Sequence, residues 1–124
     1  MKRVTIYLRF ILRNGKNHLA LFDSNQQGDI DNLITDVPAG YSVIWKLDNH
    51  SGITNITKIY SNEDVHKVFV TEPRKRWLCK GFKMKISEDT KPGEEKYSIA
   101  CILWDGKELN IDPVIRVLPP PKRK

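Results

Sequence analysis

The chain has 124 residues, a hydrophobic fraction of 40%, a charged fraction of 29% and two cysteines, which describes one globular domain able to bury a core without disulfide staples. Its net charge of +6 is concentrated at the termini: Lys2, Arg3, Lys122, Arg123 and Lys124 supply five charges and leave about +1 on the body. That balance excludes a uniformly basic domain, and no apolar run reaches the roughly 18 residues of a membrane helix.

The first element is an alternating strand. Val4, Ile6, Leu8, Phe10 and Leu12 recur at every second position, the period of a half-buried strand. Its basic head is a weak secretory signal at most, because Arg9 interrupts the apolar run and no small-residue cleavage site follows. A cytoplasmic location is therefore expected. Asn14-Gly15 then provides the residue pair of a two-residue type I′ turn. This predicts a hairpin in which Phe10 faces Leu19, Leu8 faces Leu21, Ile11 faces His18 and Arg9 faces Ala20.

Residues 23–32 are polar and irregular. Asp23, Asp29 and Asp31 lie here, but the ligand order of a calcium loop is missing, so a solvated turn is expected. Pro38-Ala39-Gly40 is a tight turn before a strand with Tyr41, Val43, Trp45 and Leu47 on one face. Ile53, Ile56 and Ile59 recur at intervals of three, which fits either a single helical turn or a bulged strand. Val65 to Val70 reads as another short strand.

The segment EPRKRWLCKGFKMK, residues 72–85, is strongly basic. Arg74, Lys75, Arg76 and Lys80 stand beside Trp77 with no acidic residue between Pro73 and Ile86. Interleaved cations and aromatics suit single-stranded nucleic acid, since cations neutralise phosphates and rings stack on bases. The strict alternation Phe82-Lys83-Met84-Lys85-Ile86 is better accounted for by a strand with one buried and one solvated face. After the Pro92-Gly93 turn, Tyr97, Ile99, Cys101 and Leu103 form an inward face. A two-residue hairpin at Asp105-Gly106 sets Cys101 against Asn110 and Leu103 against Glu108, mixing core with polar positions. A longer loop and a last strand starting near Pro113 are therefore expected. Residues 1–118 form the domain, and 119–124 a Pro-rich basic tail.

Two stretches carry a family resemblance. PGEEKYSIAC, residues 92–101, resembles the cupredoxin segment in which a Pro-Gly turn leads through an aromatic residue to a cysteine at a strand end. VPAGYSVIWKLDNHSG, residues 37–52, is similar to the cupredoxin stretch in which a Gly turn precedes a strand rich in Val and Trp. The resemblance implies an all-β antiparallel sandwich of about seven or eight strands, and an immunoglobulin-like sandwich fits nearly as well. In cupredoxins a second His and a Met follow the cysteine, completing a soft copper site. Here that loop is ILWDGKELNI, and the stretch matching the first His is GITNITKI, with His50 a few residues early. Only Cys101 carries over, so the resemblance implies the fold without the copper chemistry.

His18, His50 and His66 are scattered, and both cysteines sit in apolar strand patterns where thiols are inert packing. No catalytic residue, cofactor or enzyme activity is expected. The leading expectation is a non-catalytic binding or accessory module that contacts a protein partner through loops, with Trp104 and Asp105 as contact residues. The alternatives are a nucleic-acid binder using Arg74, Lys75, Arg76, Trp77 and Lys80, and a degenerate metal binder using His50 and Cys101. Self-association through an edge strand is compatible with any of these.

Overall fold

The opening hairpin forms in the register its turn dictates. In the computed structural model, which describes residues 3–13, 15–22, 28–29, 34–47, 52–69, 72–76 and 81–119, strand β1 (Arg3–Arg13) pairs antiparallel with β2 (Lys16–Phe22). All four expected pairs are present: Phe10 with Leu19, Leu8 with Leu21, Ile11 with His18 and Arg9 with Ala20. Gly15 has φ of 75°, the positive value that a two-residue hairpin loop requires.

The remaining strands are β3 (Gly28–Asp29), β4 (Ile34–Asp36), β5 (Ser42–Leu47), β6 (Ile53–Ser61), β7 (Arg74–Lys75), β8 (Phe82–Lys85), β9 (Gly93–Leu103), β10 (Glu108–Ile111) and β11 (Val114–Val117). They form a six-stranded sheet, β3-β2-β1-β5-β8-β7, and a five-stranded sheet in which β9 lies between β6 on one side and β10 and β11 on the other, with β4 beyond β11. The described residues contain no helix. The expected all-antiparallel arrangement is corrected, because each sheet holds one parallel pair: β1 with β5, and β4 with β11. The reason is a crossing of the chain between sheets at residues 37–41, which delivers β4 to one sheet and β5 to the other. The strand count also exceeds the expected seven or eight.

One open alternative is settled, and two local expectations change. The three-residue spacing of Ile53, Ile56 and Ile59 is that of a doubly bulged strand, with register shifts between Ile53 and Asn55 and between Ile56 and Lys58. Each bulge adds a residue to one strand, so all three isoleucines remain buried. Residues 65–69 are not a strand, because the N–H groups of Lys67, Val68 and Phe69 donate to the Glu95 side chain instead of to a ladder; Val70 lies outside the described residues. The last strand starts at Val114, beside Pro113 as expected, but an additional strand, β10, precedes it and the return after Gly106 begins at Glu108. A three-residue loop moves the register by one position and pairs Cys101 with Leu109 and Ile99 with Ile111. The conflict posed by the two-residue register disappears, and the same alignment continues through β11, where Val114 pairs with Lys96 and Ile115 with Glu95.

The core lies between the sheets. Ile6, Leu8, Val43, Trp45 and Met84 meet Ile56, Ile59, Ile99, Ile115 and Val117 there, all at most 3% exposed. At its centre the Trp45 indole Nε1–H donates to the Tyr97 hydroxyl at 3.2 Å, so the one polar atom of the indole is satisfied. Phe69 completes the cluster, with its ring centroid 5.1 Å from Tyr97 and 6.5 Å from Trp45.

Candidate functional site

The hairpin joining β9 and β10 ends in Trp104-Asp105-Gly106. Leu103 N–H donates to the Lys107 carbonyl at 2.8 Å and Gly106 N–H to the Leu103 carbonyl at 2.9 Å. Gly106 has φ of 88°, the left-handed residue that closes a three-residue loop. Asp105 holds the tip from outside its ladder, accepting the Lys107 N–H on Oδ1 at 3.0 Å. The Trp104 N–H donates to the Gly52 carbonyl at 3.1 Å. Gly52 in turn packs so closely on Phe10 that a Cβ there would lie 3.2 Å from the ring. The tip is thus tied to both sheets, yet the Trp104 side chain is 75% exposed. A large indole left in water on a constrained loop forgoes roughly 2 kcal/mol or more of burial.

Cys101, two strand positions before Leu103, points into the core. It is a free thiol, 1% exposed, with Sγ donating to the Leu109 carbonyl at 3.6 Å. Burial pushes its pKa up to about 11, so it is a protonated thiol at neutral pH and not the thiolate that metal or nucleophilic chemistry uses. His50 lies outside the described residues. Among the described residues no group of three or more His, Cys, Asp or Glu side chains is arranged to hold a metal ion.

The basic segment is divided by the fold. Arg74 pairs with Lys83 and is exposed on the outer face of the six-stranded sheet. Lys75 pairs with Phe82, a core residue, and its Nζ reaches over the sandwich edge to Asn55 Oδ1 at 3.5 Å. Arg76 is half-buried, its main-chain N–H donates to the Gly81 carbonyl at 2.8 Å, and its Nη1 is buried without a hydrogen-bond partner. Trp77 and Lys80 lie outside the described residues, as do Cys79 and the tail from 120 onward.

The face that Arg74 joins is built largely from residues distant in sequence. Since Val43, Trp45, Phe82 and Met84 point inward, Ser42, Ile44, Lys46, Lys83 and Lys85 occupy the outer face. Pairing aligns Lys85, Ser42 and Arg3 in one row, and Arg74, Lys83, Ile44 and Thr5 in the next. Tyr7 and Lys46 form a third pair. Arg3, set apart with the terminal charges on sequence grounds, is an exposed member of this array. Strands β1, β2, β5, β7 and β8 contain no Asp or Glu. Alternation within β1 and β5 identifies the outward positions from sequence; their adjacency to β8 is a product of the sheet order.

At the opposite end, Glu95 is fully buried. Its Oε1 accepts the N–H groups of Lys67 and Val68 at 2.7 Å and Phe69 at 3.1 Å. Its Oε2 accepts the Ser61 hydroxyl and lies 3.3 Å from His66 Nδ1. Burial alone would raise its pKa, but the Ser61 hydroxyl and the three backbone donors outweigh burial and hold the carboxyl below its ordinary range. Ser61 donates to the carboxylate and not to the imidazole, so these three residues form no nucleophile–base pair. They fasten residues 66–69 to β9. Extending the Tyr97-Ile99-Cys101 alternation backward places Glu95 on the core face, which is the signal in the sequence for this residue. An open depression of about 530 Å³ lies nearby, lined by Lys67, Ser87, Asp89, Thr90, Lys91 and Pro92.

Comparison of the chain with models of known protein families matches none of them, and comparison with curated proteins likewise gives no match. Among the described residues no helix is long and apolar enough to cross a membrane.

Proposed function

We propose that this domain is a non-catalytic, cupredoxin-like β-sandwich that works as a protein-binding module, with the Trp104-Asp105-Gly106 tip as its contact. The observation that carries this function is the 75% exposure of Trp104 on a loop tied to Gly52 and braced by Asp105. Tryptophan is enriched among residues that dominate binding energy. Constraint before binding reduces the ordering cost of association.

The cupredoxin-like assignment is favoured over an immunoglobulin-like one by the parallel pairs β1–β5 and β4–β11, because the immunoglobulin sandwich is built from two antiparallel sheets. The protonated, core-facing Cys101 supports the fold without metal chemistry.

The test is quantitative affinity capture from cells that naturally contain the protein, using the wild type, Trp104→Ala and Ile99→Ala. Trp104→Ala is expected to lose the captured partner with little change in unfolding free energy. Ile99, 0% exposed, is the folding control, and its truncation to Ala is expected to cost about 2–5 kcal/mol as a cavity. Undiminished capture by Trp104→Ala, or unfolding of that variant, would remove the tip from the contact.

A further inference from the structure

On the outer face of the six-stranded sheet, Arg74 and Lys83 stand directly across from one another, a like-charge pair that destabilises a sheet in the absence of a counter-charge. Lys85 follows two positions along the same strand, and Arg3 aligns with it across Ser42. Among the described residues no carboxylate pairs with Arg3, Arg74, Lys83 or Lys85. The electrostatic complement of such a face is a chain of anions, spaced so that several cations are neutralised together.

Two further features narrow the class of anion. Tyr7 shares this face and is half-buried beside Lys46, which offers an aromatic ring within the basic array. The middle of the face, Thr5, Ser42 and Ile44, is at most 9% exposed, so what remains accessible is the surrounding set of Arg3, Arg74, Lys83 and Lys85 with part of Tyr7, and there is no apolar surface to enter a bilayer. A broad sheet face also lacks the helix or narrow ribbon that enters a duplex groove. Sheets with aromatic residues among cations suit unpaired bases, which stack while their phosphates meet Lys and Arg.

We propose that the outer face of the six-stranded sheet binds single-stranded nucleic acid, with phosphates on Arg3, Arg74, Lys83 and Lys85 and a base stacked on Tyr7. This surface is separate from the Trp104 tip, so the two contacts stand or fall independently. Nucleic acid neutralises the Arg74–Lys83 repulsion, and its binding therefore raises the melting temperature of the domain.

The experiment is fluorescence anisotropy of a labelled single-stranded RNA of about 15 nucleotides with the full chain, titrated from about 50 to about 200 mM KCl. The wild type is expected to bind with a log–log salt slope of about −3, from four phosphate contacts at about 0.7 each. Lys83→Glu with Lys85→Glu is expected to weaken binding more than about tenfold and to flatten that slope. The same charge change on the other sheet, Lys58→Glu with Lys96→Glu, is expected to alter affinity by no more than about twofold. Tyr7→Leu is expected to weaken RNA binding by about fivefold or more while leaving binding of poly-glutamate unchanged. Melting curves accompany every variant, and Lys83→Gln with Lys85→Gln replaces the reversal if that variant does not fold. Absence of binding at about 50 mM KCl, or equal losses from the two double reversals, overturns the proposal. If Tyr7→Leu has no effect on RNA, the face binds acidic polymers without regard to bases, and the nucleic-acid assignment fails.

Discussion

On the outer face of the five-stranded sheet, Asp36, Arg116 and Glu94 lie in one row, and the Arg116 guanidinium makes two hydrogen bonds to Asp36 at 2.6 and 3.1 Å. The six-stranded sheet presents Lys85, Ser42 and Arg3 in a row of its own, with no carboxylate in it. Polar groups of the five-stranded sheet satisfy one another: Ser98 donates to Asp112 at 2.7 Å and accepts from Asn62 at 2.7 Å, and on the core face Glu95 gathers three backbone N–H groups. The difference separates charge that organises the fold from charge that remains open to a partner. A charge satisfied inside the protein has little left to offer a ligand. One that is exposed and surrounded by its own sign contributes little to folding and is free to bind.

Removing Glu95 tests the first half of this contrast most severely. Glu95→Ala leaves the N–H groups of Lys67, Val68 and Phe69 without their acceptor, and a loss of at least about 3 kcal/mol is expected in urea unfolding. Phe69 then loses its anchor against Trp45 and Tyr97. The pH dependence follows from the same geometry. Because the folded carboxyl titrates below its ordinary value of 4.5, its stabilisation is present above that value and is lost as pH falls through the lower folded one. Glu95→Gln is expected to show a flatter decline in stability under acid; identical acid curves for Gln and Glu would assign the decline elsewhere.

A smaller effect is expected at Ser98, where the hydroxyl links Asn62 of the β6–β7 connection to Asp112 beside β11. Ser98→Ala should cost about 1–2 kcal/mol, read from the midpoint of chemical denaturation. The smallest belongs to the other sheet. Lys85→Ala should change unfolding free energy by no more than about 0.5 kcal/mol, despite lying on a strand that contributes Phe82 and Met84 to the core. A large loss at Lys85 would show that the basic face organises the fold after all, and the contrast between the sheets would dissolve.

Much of the fold is legible in local pattern, and the site less so. The Tyr41-Val43-Trp45-Leu47 face is readable because alternation is enforced by the pleat. Residues 65–69 mislead because their β-like composition says nothing about a carboxylate arriving from β9. The basic character of segment 72–85 is plain in the sequence, but sequence adjacency groups Lys75 and Arg76 with Arg74, whereas the sheet turns Lys75 toward Asn55 and half-buries Arg76. Arg3 is a partner of that segment in space while standing at the far end of the chain. Trp104 is exposed because the three-residue loop carries it beyond the ladder, a consequence of loop length that alternation alone leaves open.

By itself the sequence determined the β1–β2 register and the inward faces of β5, β8 and β9. Those features depend on a two-residue turn and a period of two, both of which act over a few residues. Only the tertiary structure decided the parallel pairs β1–β5 and β4–β11, the burial of Glu95 beneath residues 67–69, and the joining of Arg3 with Arg74, Lys83 and Lys85. Each depends on which strands become neighbours, and that is settled when two sheets bury a common core, where distant segments are matched by packing and hydrogen-bond satisfaction and not by proximity along the chain.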